Sequence, residues 1–297
     1  MQNIQVGQHY KRTGRIISPC STPSVADILA LRPDQEIFTV LSKVLWGNTV
    51  LLHDLSYVSK AGFNVGPAEV EAMRLVSQHT SVPVPHVIHT ACSAGYGNIE
   101  MTIVPGTSLD GRWDMLDARG KESVCRQTWQ LIAEIQAIPR PPELEDIVRC
   151  GVDGSVPRDT FFEDLQDPPR ALRSDAELRA RICERYRHFG GYQDATADDL
   201  FGMLPRSERT VFTHADIAPR NIMVDANNRI TGILDWEHAG WYPEYWEYAQ
   251  ILRSAAWGDW SDWMDRTAPR RWDLRGIEAA RLVLALVSSD EEPEPEW

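Results

Sequence analysis

Thr213-His214-Ala215-Asp216-Ile217-Ala218-Pro219-Arg220-Asn221, then Ile222-Met223-Val224, Asp225-Ala226-Asn227-Asn228 and the run from Arg229 to Asp235, is the stretch whose reading decides the fold. Asp225–Asn228 is a turn between two β-runs, so the pattern predicts a hairpin whose flanks pair. Pairing about that turn folds Asn221 and Asp235 back toward each other, with Asp216 on the loop that enters the hairpin. Two oxygen donors and a carboxylate then converge on one spot, the donor set that a Mg²⁺–triphosphate site requires.

Outward from this stretch the chain changes character once. Short β-rich runs are predicted at Val40–Trp46, Thr49–His53, Leu55–Lys60, Val87–His89 and Ile99–Val104, with Gly47-Asn48 and Gly95–Asn98 as turns. One helix interrupts them, from Gly66-Pro67 to about His79. Residues 1 to about 35 show no period beyond a short helical candidate at Val25–Leu31. After Pro105-Gly106 the period becomes helical: Val124, Thr128, Leu131, Ile135 and Ile138 form one stripe, and Ser174 with Glu177 makes a capping box. The expected fold is α+β, with a β-rich lobe over 1–105, a mostly helical lobe over 106–289 and a solvated, disordered acidic tail over 290–297.

Phosphoryl transfer also needs a cation on the donor phosphates. Lys60 can supply it from the end of the run Leu55–Lys60, and either Glu69 or Glu71 of the following helix can hold its ammonium. Helical periodicity alone does not choose between the two.

H-x-D-x-x-x-x-N at His214–Asn221, I-L-D-W at Ile233–Trp236 and E-H-A-G-W-Y-P-E-Y-W-E-Y at Glu237–Tyr248 together resemble the aminoglycoside phosphotransferase family, in its fungal-type branch. V-S-K at Val58–Lys60, S-V-P-V-P at Ser81–Pro85 and M-T-I-V-P-G at Met101–Gly106 extend the resemblance over roughly Val40 to Tyr248. The resemblance implies a two-lobed, protein-kinase-like fold in which Asp216 is the catalytic aspartate, Asn221 and Asp235 bind Mg²⁺, and Lys60 pairs the ATP phosphates. It also implies that Glu71, counted back from Pro83, pairs with Lys60, and that adenine stacks near Met101, Thr102, Ile103 and Val104. Two departures stand out: the family's H-G-D-x-H-P-x-N is here changed at Ala215 and Ala218, and Thr102 replaces an acidic linker residue.

Other signals read as structure. His214 braces the loop backbone, and Trp241, Tyr245 and Tyr248 wedge the helical lobe; Trp257, Trp260 and Trp263 recur every three residues, a spacing that suits stacking on a substrate ring as well as packing. Gly106–Asp110 superficially suggests a hydrolase serine elbow but lacks its last glycine. The eight histidines show no zinc spacing, and the five scattered cysteines read as reduced thiols. A net charge of −13 disfavours nucleic acid and favours a neutral or cationic acceptor, a hydroxylated amine first among them. No membrane span or secretory leader is legible, so a cytoplasmic protein is expected. Two readings compete with an ATP-dependent small-molecule kinase: a nucleotide-binding pseudokinase or scaffold, and a kinase cleft repurposed for a natural-product reaction.

Overall fold

The computed structural model describes residues 4–44, 47–63, 65–93, 95–155, 160–190, 196–253 and 258–290. Leu45 and Trp46 of the first expected strand, Trp257, and the acidic tail beyond Asp290 lie outside these residues. The chain divides into two compact units, Met1–Gly106 with Thr231–Glu237, and Thr107–Ile230 with His238–Trp297. The expected boundary at 105/106 thus misses one excursion, in which Thr231–Glu237 returns to the first unit. Its backbone is stitched there by Ile233 N–H donating to the Pro83 carbonyl at 2.9 Å.

The first unit is one antiparallel sheet with a helix. Its strands are β1 (His9–Thr13), β2 (Ile16–Cys20), β3 (Gln35–Lys43), β4 (Thr49–His53), β5 (Tyr57–Gly62), β6 (Val87–Ser93) and β7 (Tyr96–Thr102), in the order β2-β1-β3-β4-β5-β7-β6. β1 and β2 went unread in the sequence because their side chains are mostly half-buried or exposed, with little apolar alternation. β2 is an edge strand and carries Pro19, a residue that edges tolerate. Gly14, at φ +56, begins the tight turn between them. Ile37, Phe38 and Val40 of β3 are buried, and Tyr10 stacks on Phe38 with ring centroids 5.6 Å apart.

Helix α1 (Val25–Leu29) is closed by a Ser24–Asp27 capping box, and α2 (Pro67–His79) starts with proline in its first turn. The inner face of α2 is Glu69, Val70, Ala72, Met73 and Val76. Glu71 and Arg74 lie on its exposed face.

The second unit holds α3 (Ala118–Gln136), α4 (Asp175–His188), α5 (Thr196–Met203), α6 (Trp246–Ile251), α7 (Trp260–Thr267) and α8 (Arg275–Asp290). Two small strand groups accompany them. β8 (Thr107–Ser108) pairs with β11 (Ile222–Val224), while β9 (Cys150–Gly151), β13 (Gly240–Pro243) and β10 (Thr210–Thr213) form a sheet. The turn Asp225–Asn228 joins β11 to β12 (Ile230–Ile233), and Gln127 of α3 clamps it, donating to Asn228 O and accepting from Ile230 N–H, both at 3.1 Å. Trp241 and Tyr245 are fully buried and Tyr248 is 5% exposed, so the aromatic run is core as expected, although Gly240–Pro243 is a strand. Among the described residues no helix is long and apolar enough to cross a membrane.

Close backbone approach makes some glycines irreplaceable. A methyl group at Gly97 would fall 2.3 Å from the Val65 carbonyl oxygen, whereas one at Gly66, with φ −141, would meet nothing within 4 Å. Gly97→Ala is expected to lower stability by about 2 kcal/mol, and Gly66→Ala to change it far less. Paired thermal melts check this ranking.

Candidate active site

Strand β5 ends near Lys60, whose side chain runs inward and is 7% exposed. Its ammonium donates to Glu69 Oε1 and Oε2 at 2.9 and 3.0 Å, to Asp235 Oδ1 at 2.6 Å and to Glu237 Oε2 at 2.9 Å. Burial alone would lower the Lys60 pKa; Glu69, then Asp235 and Glu237, outweigh it, so the ammonium is held above the usual lysine value. For Glu69 burial dominates over the attraction of Lys60, and its carboxyl is pushed up to about 7.

The expectation that Glu71 pairs with Lys60 is corrected here. Glu71 is exposed and accepts from Arg74 at 2.7 Å, one turn away on the same outer face. Glu69 lies four and seven residues before Met73 and Val76 on the inner stripe, and that shared face delivers its carboxylate to Lys60. Counting back from Pro83 cannot sense which face of the helix is inward.

Asn48, on the turn before β4, donates from Nδ2 to Glu237 Oε2 at 2.9 Å. It fits into a notch at Gly62, where a methyl group would fall 2.5 Å from Asn48 Oδ1. That Oδ1 is buried without a hydrogen-bond partner. Asp235 and Glu237, both on the Lys60 ammonium, bring two carboxylates together, and oxygen donors of this kind suit a hard cation such as Mg²⁺. Among the described residues no three His, Cys, Asp or Glu side chains form a metal site by themselves. The residues fit an ion held by one or two carboxylates and completed by phosphate oxygens, rather than an all-protein cage.

The linker residues differ among themselves. Met101 is buried in β7, while Thr102, Ile103 and Val104 border a cavity of about 400 Å³ shared with Thr80, Pro83 and Thr231. Thr102 N–H donates to His86 O at 2.9 Å and Thr102 Oγ1 accepts from His86 N–H at 3.0 Å, which pins the start of the linker.

In the second unit β10 feeds the loop His214–Asn221. His214 is fully buried and its Nδ1 accepts the Asp216 N–H at 3.2 Å, the bracing role read from the sequence. The Asp216 carboxylate receives Arg220 Nη2 at 2.6 and 2.5 Å and Asn221 Nδ2 at 2.9 Å. Asn221 Nδ2 also donates to Asp216 O, which commits its amide nitrogen to the loop and leaves the amide oxygen to face elsewhere. Ser108, from the rejected serine elbow, donates to the carbonyls of Pro219 and Arg220, so it anchors the loop.

Behind the loop stands Glu247 of α6, 1% exposed. It accepts the N–H of His214 at 2.8 Å and of Ala215 at 3.2 Å. Burial raises its carboxyl to about 7, with the hydrogen bonds from Ala215 and His214 holding it from going higher. Sequence reading singled out Lys60, Asp216, Asn221 and Asp235 but missed Glu237, Asn48, Arg220 and Glu247. Glu237 had a usable signal in its place two residues after Asp235. Glu247 had none, being one polar residue in an aromatic run.

A family model described as the phosphotransferase enzyme family (APH) matches residues 63–285. Clavilactone A biosynthesis cluster protein Y of Ampulloclitocybe clavipes is 26% identical over 198 residues, covering 57% of this chain and 48% of that protein. The chain therefore spans about half the length of that curated relative. Among solved structures, the gentamicin complex of APH(2'')-IIa is similar at a TM-score of 0.57 and 14% identity, over 86% of this chain and 83% of that one. The ADP-bound aminoglycoside phosphotransferase APH(2'')-Ib gives 0.53 and 13%, over 87% and 88%. Macrolide 2'-phosphotransferase type I gives 0.52 and 14%, over 93% and 95%. At such identities the likeness is one of fold, α+β and kinase-like.

Glu69→Gln is expected to cost about 1–3 kcal/mol by weakening a buried charged hydrogen bond, whereas Glu71→Gln should stay within about 0.5 kcal/mol. Urea unfolding of the two variants distinguishes them. A carboxyl raised to about 7 when folded contributes stability that is full below its ordinary value of 4.5 and lost as pH rises through 7. Relative to Glu247→Gln, the wild type should therefore lose on the order of 3 kcal/mol between pH 4.5 and 8, read from denaturant midpoints at each pH.

Proposed function

Since the chain belongs to the phosphotransferase enzyme family, we propose that it transfers the γ-phosphoryl group of ATP to a hydroxyl of a small molecule. The observation that carries this reading is the buried Lys60 ammonium, held by Glu69 and flanked by Asp235 and Glu237. A lysine desolvated among three carboxylates is expensive to keep unless its charge is used, and donor phosphates use it.

In this mechanism Lys60 orients the α- and β-phosphates. Asp235 and Asn221 would hold Mg²⁺, with Glu237 sharing the Lys60 ammonium with Asp235; the ion would supply charge neutralisation on the phosphate oxygens. Asp216 accepts the proton of the acceptor hydroxyl as its oxygen attacks the γ-phosphorus and the bond to ADP breaks. Arg220 and Asn221 fix the Asp216 carboxylate, and Arg220 adds a cation on the loop where Ala218 has removed a side chain that could have carried one. Adenine binds along Met101–Val104. The acceptor is a hydroxylated amine: the net charge of −13 concentrates cations, and one similar structure holds gentamicin.

The second reading, a nucleotide-binding scaffold, is favoured by Ala218 and by the Arg220 pair that covers Asp216. ADP release against a panel of hydroxylated amines separates the two readings.

Asp216→Asn is expected to reduce turnover by about 10²–10⁴-fold while the thermal shift with Mg²⁺–ATP persists. Lys60→Ala should raise the KM for ATP and shrink that shift. Unchanged turnover in Asp216→Asn removes this residue from the chemistry. The apparent affinity for an amine acceptor should fall as salt rises from low to physiological strength.

A further inference from the structure

An ammonium has three N–H groups, and at Lys60 all of them are given to carboxylates: to Glu69 at 2.9 and 3.0 Å, to Asp235 at 2.6 Å and to Glu237 at 2.9 Å. A donor phosphate on Lys60 needs one of these N–H groups, so one carboxylate must give way. The three differ in their ability to do so. Glu69 meets Lys60 through both oxygens, lies on the inner stripe of α2 and is 4% exposed at the side chain. Asp235 has a short side chain on a residue at φ +66, so the backbone fixes where its carboxylate stands. Glu237 has the longer side chain, is 24% exposed there and meets Lys60 through Oε2. It is the group that can withdraw without moving the chain.

The same Glu237 oxygen is held from a second side. Asn48 Nδ2 donates to Oε2 at 2.9 Å, and the turn that carries Asn48 is seated against Gly62, where a methyl group would fall 2.8 Å from Gly47 O and 2.9 Å from Asn48 Cα. Two donors on one oxygen keep Glu237 on the ammonium. The cluster is also net negative, because Asp235 and Glu237 outnumber Lys60 with or without a proton on Glu69. A metal-free phosphate chain therefore meets excess negative charge and must displace Glu237 unaided. A phosphate chain that carries Mg²⁺ arrives with its charge partly neutralised, and the carboxylates attract its cation.

We infer that Glu237, tethered by Asn48, sets the donor specificity of the Lys60 site: it competes with metal-free phosphate for the ammonium and thereby makes nucleotide binding depend on Mg²⁺. The inference rests on the reading of Lys60 as a nucleotide-phosphate ligand. It goes beyond that reading, since a lysine paired with Glu69 alone would take metal-free and Mg²⁺-bound nucleotide on more nearly equal terms.

The test measures ADP affinity by calorimetry in EDTA and again in excess Mg²⁺, so that neither acceptor nor turnover enters. Wild type is expected to bind ADP about tenfold or more weakly in EDTA than in Mg²⁺. Glu237→Gln leaves a neutral carbonyl that yields more readily to phosphate, and it should tighten ADP in EDTA by about fivefold or more while narrowing the Mg²⁺ dependence. Asn48→Ala keeps every charge and removes the tether alone, so it should tighten ADP in EDTA by about twofold or more. Glu71→Gln takes the same charge from the outer face of α2 and controls for the general field; both of its affinities should stay within about twofold of wild type. Should Glu237→Gln lose its cooperative melt, Asn48→Ala decides alone. Glu237→Gln that binds ADP in EDTA no more tightly than Glu71→Gln overturns the inference and leaves the phosphotransfer reading standing. So does Asn48→Ala no tighter than wild type, or a wild type indifferent to Mg²⁺. ADP bound by no variant in either condition defeats the nucleotide reading and the inference together. The expected tightening without ADP release on any acceptor defeats the phosphotransfer reading alone.

Discussion

The Lys60 ammonium is buried among three carboxylates, and the first unit is organised around keeping it there. Taking one cation out of water costs several kcal/mol, and only good geometry from several partners restores it. The partners come from two separate elements, Glu69 from the inner stripe of α2 and Asp235 with Glu237 from the excursion Thr231–Glu237, while Asn48, on a turn that Gly62 lets approach closely, holds Glu237 in turn. The sheet, the helix and the returning segment are therefore required together. Removing any one would leave charge in a dry site, which is why the unit is not a sheet with optional decorations.

The second unit meets the opposite demand, since its loop must present a carboxylate rather than hide a cation. Asp216 is 25% exposed at the side chain, and the groups behind it, Glu247 and His214, are almost wholly buried. Arginine gathers elsewhere in this unit. Arg149, Arg179, Arg181 and Arg185 are all buried, and Arg181 with Arg170 closes on Asp164, whose side chain is fully covered. The excess of acid in the composition is thus uneven, with segment 149–185 a local concentration of guanidinium that planar stacking on Phe162 and Phe201 helps to accommodate.

Much of this was legible in the sequence because strong local signals carried it. The H-x-D-x-x-x-x-N run, the alternation before Lys60 and the stripe Val124–Ile138 all report on their own neighbourhoods. What escaped depended on facts that no short window contains. Glu69 and Glu71 both border apolar positions, and only the docked helix separates them. Glu247 acts through a contact 33 residues from His214. β1 and β2 lack alternation because both of their faces are partly wet, and Asn48 is a turn residue until Gly62 gives it a notch.

The return of Thr231–Glu237 to the first unit has a consequence for how the chain comes into being. Asp235 and Glu237 stand 175 and 177 residues beyond the lysine they neutralise. During synthesis from the N-terminus, the sheet and α2 leave the ribosome long before those carboxylates exist, and Lys60 then has Glu69 alone. Cutting the chain at Gly106 would release a β-sheet whose buried lysine keeps Glu69 and loses both Asp235 and Glu237.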